Sequence, residues 1–289
     1  MIARDCQQFE WNPLYCFSVL PKFRNSLLLV LLLLLACSKI AAFEPADPAV
    51  ADELKQLNDR TIIATHASLD SEWNQFKHGA EKAVWTVSGL WGGPVSDWQD
   101  WGIRFKLPFA YHRSDQASGH AEVGGTGDAE VGIGTAFRLN ETWRTGGGVE
   151  LHADTASDPA LAENVWRLKL GWGLSHDVTH WLTLTLNADY NHSIAEKDDV
   201  RPHRYLELSA PATLILPQAW SMSASYKTGV DFENGDRWSH TVSAGVAKRL
   251  SKVPVVLSAS LEKPLSSGAK KFQASISIVY YFQRYHSPK

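Results

Sequence analysis

Two long runs of alternating residues, joined at Asn140-Glu141, dominate the sequence between Gly127 and Asp154. In each run apolar residues alternate with residues that are charged or glycine. Because successive side chains of a β-strand point to opposite faces, this period of two predicts a β-hairpin with one apolar and one charged face. The apolar face holds Ala129, Val131, Ile133, Phe137, Leu139, Trp143, Val149 and Leu151, and the charged face holds Asp128, Glu130, Arg138, Arg144, Glu150 and His152.

The length of these runs restricts where such a hairpin can lie. A strand of about 13 residues that rises about 3.3 Å per residue extends about 43 Å, and at a tilt near 45° it crosses a bilayer core of about 30 Å. Strands of soluble domains average about 5 to 6 residues. The runs therefore predict strands that span a membrane.

The same alternation recurs along the chain, and the links between the runs alternate in length. Short turns alternating with long links are typical of outer-membrane barrels, in which the short turns face the periplasm. We therefore predict an all-β fold, a transmembrane antiparallel β-barrel of 10 to 12 strands with 12 favoured. The further strands are predicted at 84–91, 101–111, 164–175, 181–191, 204–214, 218–231, 237–250, 253–262 and 272–282; the short turns at 140–141, 176–179, 216–217 and 251–252; and the longer links at 112–126, 155–163, 192–203, 232–236 and 263–271.

Tryptophan is frequent and lies near the ends of the predicted strands. The apolar faces carry Trp143, Trp172 and Trp220 close to short turns, and Trp166 and Trp238 near long links. Indole side chains prefer the headgroup level of a membrane, so this placement predicts an aromatic girdle at each rim. Trp181 departs from the pattern because it falls on the polar parity of its strand.

The two ends of the chain differ from the strands. Lys22 and Arg24 precede an aliphatic run at 27–35 that is too short to span a membrane as a helix, so we predict that residues 1–42 are an N-terminal extension and signal peptide. Cleavage at the small residues 40–42 is favoured, and lipidation at Cys37 is the alternative. Residues 43–82 are predicted to form a periplasmic segment, a partial plug or the first strand, residues 83–282 the barrel, and residues 283–289 a C-terminal tail.

Composition narrows the class of protein and its partners. The net charge of -3 excludes a nucleic-acid binder with a basic field. All three cysteines, Cys6, Cys16 and Cys37, belong to the predicted leader, so no disulfide scaffold is expected in the rest of the chain. The aromatic last strand ends at Phe282 and resembles an assembly signal. We therefore predict the bacterial outer membrane as the location, with its lipid and the barrel-assembly machinery as partners.

Two stretches carry a family resemblance. These are Gly125-Thr126-Gly127-Asp128 at the start of the hairpin, and the upstream run from Asp100 to Phe109 with its Leu-Pro step. In them the sequence resembles the outer-membrane family named for the meta-pathway of phenol degradation, and the likeness extends loosely over residues 85–282. The resemblance implies a barrel that moves aromatic or hydrophobic compounds, and it carries over no catalytic residue.

Three patterns suggest other chemistry. The Gly132-x-Gly134 spacing is typical of phosphate loops, but no helix follows it, so close packing of strands explains the glycines better. His176 and His180 fall in a predicted turn rather than on one helix face, which argues against a metal site. His192-Ser193 near Asp189 has the residue types of a hydrolase triad without its surrounding motif. We predict no catalytic residue, metal or cofactor.

By the same alternation, both signs of charge point into the predicted lumen in nearly equal number. Mixed charges can pair across a narrow interior and either hold it shut or tune passage through it. The lumen-lining candidates are Arg104, Lys106, Asp128, Glu130, Arg138, Arg144, Glu150, Arg167, Lys169, Asp189, Glu207, Lys227 and Glu262.

The sequence alone favours one function and leaves two alternatives. The favoured hypothesis is an outer-membrane channel or transporter, not an enzyme, with small hydrophobic or aromatic molecules as cargo. The alternatives are an outer-membrane enzyme with a rim site at His192-Ser193, and a structural barrel with a blocked lumen.

Overall fold

The computed structural model describes residues 47–77, 80–116, 119–197, 200–266 and 270–282, which belong to one compact unit, Pro45–Lys289. The predicted signal peptide and C-terminal tail lie outside these residues. A helix, α1 (Pro48–Gln56), precedes the strands. The strands are β1 (His66–Phe76), β2 (Glu81–Ser96), β3 (Gln99–Gln116), β4 (Gly119–Thr126), β5 (Glu130–Arg138), β6 (Trp143–His152), β7 (Val165–Thr179), β8 (Leu182–Glu196), β9 (Arg204–Leu216), β10 (Trp220–Asp231), β11 (Arg237–Arg249), β12 (Val255–Pro264) and β13 (Lys270–Tyr281).

The strands form one closed antiparallel sheet. β1 pairs with β2 on one side and with β13 on the other, which closes the ring. β4 and β5 pair with successive parts of β3 and so occupy one position between them. The result is a barrel of twelve strand positions, which confirms the predicted all-β antiparallel barrel and its favoured strand count.

The opening hairpin forms as β5 and β6, with Glu130 opposite His152 and Arg138 opposite Arg144. Its turn is fixed by Asn140, whose side-chain oxygen accepts hydrogen bonds from the backbone N–H groups of Thr142 at 2.9 Å and Trp143 at 2.8 Å. Asparagine favours turns because its side chain can bond to nearby backbone in this way.

Two predicted connections differ from the structure. Residues 112–126, predicted to be a long link, are mostly strand, because β3 continues to Gln116 and pairs with β4. The turn predicted at 176–179 lies at 180–181 instead, because β7 continues to Thr179, whose hydroxyl oxygen accepts from the N–H of Leu182 at 3.1 Å. Trp181 therefore lies in the turn, where the strand parity no longer applies.

One end of the barrel, which we call the short-turn end, carries only connections of two to five residues. The other, the long-loop end, carries the longest connections, at 153–164 and 197–203. The short-turn end comprises the connections at 97–98, 139–142, 180–181, 217–219 and 250–254, and both the start of β1 and the end of β13 lie there. No helix among the described residues is long and apolar enough to cross a bilayer.

The outer face of the barrel is apolar, as the alternation predicts. On β13, Ile276 is 62% exposed, whereas Tyr281, on the opposite parity, is 1% exposed. Large apolar side chains stand on the outer surface of every wall, and Trp143, Trp172, Trp220, Trp166 and Trp238 are among them. In a water-soluble protein these side chains would be buried, so this face is suited to contact lipid.

This register predicts opposite effects for two adjacent substitutions. Ile276→Arg places a charge on the lipid-facing surface and is expected to cost about 2 to 4 kcal/mol of barrel stability. Ser275→Arg places the same side chain in the polar lumen and should leave assembly intact. The measurement is the folded fraction in a urea titration, with the barrel followed by its altered gel mobility before boiling. Loss of assembly in Ser275→Arg together with a silent Ile276→Arg would contradict the register.

Candidate functional site

The lumen contains a cluster of ion pairs on β3, β5, β6 and β7. Glu150 lies between two basic side chains, since Arg104 contacts one carboxylate oxygen and the Lys169 Nζ lies 2.8 Å from the other. The Lys106 Nζ donates to Glu130 Oε2 at 2.6 Å. The structure therefore brings together these five sequence-predicted lumen residues.

A second, smaller group lies on β9, β10 and β12. The Lys227 Nζ is 3.6 Å from a Glu207 oxygen and 3.5 Å from a Glu262 oxygen. Lys270, which the sequence did not single out, adds a contact with Glu262 at 3.4 Å. Glu207, Lys227 and Glu262, all predicted from the sequence to line the lumen, therefore form a separate network.

Arg167 and Asp128 have a different role, because both hold the loop at 153–164. The Arg167 guanidinium donates to Glu163 at 2.9 Å and to the His152 Nδ1 at 2.9 Å. The Asp128 carboxylate lies between β4 and β5, outside any strand, and accepts from three backbone N–H groups of this loop, those of Thr155, Ala156 and Glu163. Asp128 is thus a loop anchor rather than part of the lumen cluster.

Residues 47–65, which we call the inner segment, lie inside the short-turn end of the barrel. Asp47 caps α1 by accepting from the N–H of Ala49 at 3.0 Å, and Pro48 occupies the first turn, where its missing N–H costs nothing. One face of α1 is apolar, and its fully buried Leu54 packs in a cluster with side chains of the inner wall. Burying a leucine stabilises by about 1.5 to 3 kcal/mol. The wall residues of this cluster are Ile215, Ala247, Val256, Val279 and Tyr281.

Charged residues of α1 pair with the barrel wall. The Lys55 Nζ donates to Asp177 Oδ1 at 2.9 Å, and the Arg249 Nε donates to Glu53 Oε2 at 3.0 Å. The Tyr281 hydroxyl donates to the backbone oxygen of Glu53 at 2.8 Å. Glu53, Lys55 and Arg249 are all buried, so these pairs lie out of bulk water.

Two consecutive residues after α1 extend this contact. Asp59 is buried and accepts from the Ser175 hydroxyl at 2.6 Å, and one of its oxygens lies 3.3 Å from an Arg144 nitrogen. Arg60 forms a bidentate pair with Asp189 on β8, with N···O distances of 2.6 and 2.7 Å. Two parallel hydrogen bonds fix the orientation of the guanidinium as well as its position.

Burial also affects Asp52, another acid on α1. It raises the pKa of the Asp52 carboxyl, against the lowering influence of Lys55 and Arg144. Burial of the helix therefore shifts the protonation equilibrium of this acid toward its neutral form.

Glycines of the inner wall make room for the inner segment. A Cβ added at Gly171 would lie 2.7 Å from an Arg60 nitrogen, and one added at Gly173 would lie 2.9 Å from the Arg60 Cγ. Similarly, a Cβ at Gly92 or Gly102 would lie 2.7 or 3.0 Å from the Ile63 Cγ2. The wall is thus shaped to the inner segment at two separate places.

The remaining sequence-predicted lumen residues lie near the short-turn end. Arg144 donates to Asp177 at 2.9 Å as well as approaching Asp59. Arg138 lies 3.2 Å from Asp100 and donates to the backbone oxygen of Asp97 at 2.9 Å. Arg144 thus contacts the inner segment through Asp59, and Arg138 holds the nearby connection at 97–98.

Beyond the inner segment, toward the long-loop end, lies a cavity of about 590 Å³. Its floor is formed by residues 56–60, 62 and 63, and its walls mainly by inward-facing residues of the barrel. Eight serines line it, and His66 and Tyr281 are the only aromatic side chains among the described lining residues. The inner segment therefore separates this polar cavity from the short-turn end.

Two alternative chemistries can be compared with this geometry. His192 is exposed on the outer face while Ser193 and Asp189 are buried on the inner face, so the hydrolase triad is not assembled. Glu130, Glu150 and His152 have donor atoms within 4.8 Å of one another, as a metal site requires. Both carboxylates already contact basic side chains, however, and this favours an ion-pair cluster over a divalent cation.

No family model matches the chain, and no curated protein matches it. Solved structures do match. An outer-membrane channel from Pseudomonas putida F1 is 17% identical with a TM-score of 0.65, over 76% of this chain and 95% of that chain. The monoaromatic hydrocarbon channel CymD is 11% identical with a TM-score of 0.50, over 86% and 97%. The KdgM porin in complex with disordered oligogalacturonate is 11% identical with a TM-score of 0.50, over 75% and 99%.

At these identities the likeness shows the fold alone. The chain has the barrel fold of outer-membrane channels and porins. The resemblance to the phenol-degradation family stays a prediction.

The fit of Arg60 against the wall can be tested with one methyl group. Gly173→Ala should push the Arg60 side chain from its place and loosen the inner segment. We expect trypsin to cleave after Arg60 or Lys55 faster than in the wild-type barrel in detergent. Gly245→Ala is the matched control, because its added Cβ would approach a serine oxygen at 2.9 Å and no atom of the inner segment. Equal cleavage rates in all three proteins would contradict the fit.

Proposed function

We propose that the protein is a channel of the bacterial outer membrane for small polar solutes, and that the inner segment closes it from the periplasmic side. The observation that carries the proposal is the occupied lumen: a cavity bordered by serines and ionised groups ends at a segment whose side chains pair with the wall. A structural barrel would need no cavity bordered by ionised groups.

The fold supports a proposal for the orientation and for the partners. Short turns of such barrels face the periplasm, so the inner segment would lie at the periplasmic end. The apolar outer face would contact outer-membrane lipid. Phe282 is 61% exposed on that face, and this position is consistent with its recognition by the barrel-assembly machinery.

The cavity lining supports polar cargo more than the hydrophobic or aromatic cargo predicted from the family resemblance. Serine, glycine and charged residues provide most of the described lining, and no tryptophan or phenylalanine is among it. Aliphatic side chains, among them Ile62, Ile63 and Leu90, also border the cavity, but the described lining has no cluster of aromatic rings of the kind that sites for such molecules often provide. One structural neighbour is a monoaromatic hydrocarbon channel, and aromatics that carry polar groups remain compatible with this lining.

Closure by the inner segment can be tested with an engineered disulfide. The Cβ of a cysteine at Gly102 would lie 3.0 Å from the present Ile63 Cγ2, which is within reach of a disulfide to a cysteine at residue 63. In a background with Cys6, Cys16 and Cys37 replaced by serine, oxidised Ile63→Cys/Gly102→Cys protein should show almost no conductance in planar bilayers. Reduction should restore the conductance of the single variant Ile63→Cys, which serves as the control.

Two results would count against the proposal. Equal conductance before and after reduction would show that the inner segment does not close the lumen. Absence of conductance in both states and in the control would favour the structural barrel with a blocked lumen.

A further inference from the structure

The two sides of the cavity differ in charge. On one side Arg60, Arg104, Lys106 and Lys169 border the cavity. Their carboxylate partners number three, because Arg104 and Lys169 share Glu150 while Arg60 pairs with Asp189 and Lys106 with Glu130. Four cations against three anions leave a formal surplus of one positive charge on this side, which we call the basic wall.

Along β1 and the strands near it, the lining is built mainly from hydroxyl groups. Ser88 on β2, Ser258 and Ser260 on β12, and Ser275 and Ser277 on β13 all line the cavity. Between β2 and β13 runs β1, which contributes Asp70 to the same lining. We call this side the serine wall.

Asp70 is the charged group of the serine wall that lacks a counter-charge. Its carboxylate accepts from the Ser68 hydroxyl at 2.7 Å and forms no ion pair with a basic side chain in the described part of the chain. The other inward carboxylate of β1, Glu72, accepts from the Asn74 side chain at 2.6 Å but does not border the cavity. One negative charge is therefore available to a solute on this side.

The ring order places Asp70 on β1 across the lumen from Lys169 and Asp189. Arg104 and Lys106 belong to β3, two positions from β1, but their side chains reach to Glu150 on β6 and to Glu130 on β5. β1 and β8 lie six strands apart in both directions round the twelve-position ring, and β7, which carries Lys169, is next to β8. Asp70 and the basic wall border one cavity of about 590 Å³, a volume typical of sites for small molecules. A solute in the cavity thus meets a positive side and a negative side at once.

We propose that this cavity selects zwitterionic solutes of amino-acid size, whose carboxylate lies against Arg104 and Lys169 and whose ammonium group lies against Asp70. This inference rests on the proposed channel function and names its substrate class. Serine hydroxyls on the same wall donate or accept hydrogen bonds and so replace part of the water that the solute loses.

Charge complementarity on both sides distinguishes zwitterions from other solutes. An anion gains contacts at the basic wall but is repelled by the unpaired Asp70 carboxylate. A cation is attracted by Asp70 but is repelled by the basic wall. An ionised solute that leaves water without finding a counter-charge is destabilised, because its hydration is lost. A zwitterion finds partners for both of its charges. A neutral polyol gains hydrogen bonds only.

The experiment compares uptake of labelled solutes of similar size into proteoliposomes that contain the full chain. β-Alanine is the zwitterion, lactate the anion, ethanolamine the cation and glycerol the neutral solute. We expect β-alanine to enter about fivefold faster than glycerol, the factor that one charge pair at 4 Å contributes in surroundings like water. Asp70→Asn should lower the ratio of β-alanine to glycerol toward one and raise lactate relative to β-alanine.

Glu72→Gln is the matched control, because it neutralises a carboxylate on the same strand that lies outside the cavity lining. It should keep the wild-type ratio, and altered gel mobility before boiling confirms that each variant is folded. Lactate entering faster than β-alanine, or equal ratios in wild type and Asp70→Asn, would overturn the zwitterion inference while the channel stands. Absence of uptake for all four solutes would overturn the channel proposal itself, and this inference with it.

Discussion

Charges buried between the barrel wall and the inner segment are stable only when they are paired, because bulk water does not reach them. The wall near the short-turn end carries Asp177, Arg249 and Asp189, and the inner segment supplies Lys55, Glu53 and Arg60 as their partners. Removing one partner of a fully buried pair, such as Glu53 with Arg249, costs about 3 to 5 kcal/mol. The inner segment is therefore part of the electrostatic balance of the barrel, and displacing it requires water to enter in its place.

This constraint links the proposed closure to the proposed selection. The same Arg60 that pairs with the β8 wall also borders the cavity, so its position affects both the floor of the cavity and the charge of the basic wall. A solute carboxylate near Arg104 would compete with the carboxylates that now hold these basic groups. Glycines at 171 and 173 allow Arg60 to lie close against the strand, and this leaves the rest of the cavity open to a small solute.

The fold could be predicted from the sequence because it depends on local alternation. A period of two fixes which side chains share a face, and the structure places Ile276 outside and Glu130 inside accordingly. The pairing partners could not be predicted, since Glu53 and Arg249 lie 196 residues apart and meet only after the ring closes. The polar, helix-compatible stretch before β1 was a sign of an inner segment, but nothing local marks Asp59 or Arg60 as lumen groups. Alternation did not predict the position of Asp128 correctly, because this residue lies between β4 and β5, where the chain is not in a strand.

The central claim is that the inner segment is held on the wall by its ion pairs, and exchanging the two charges of one pair tests it most directly. Arg60→Asp and Asp189→Arg should each raise the open probability of single channels, because each leaves two like charges facing one another. The double variant Arg60→Asp/Asp189→Arg should restore an open probability close to that of the wild type. An open probability in the double variant equal to or above that of either single variant would contradict the account.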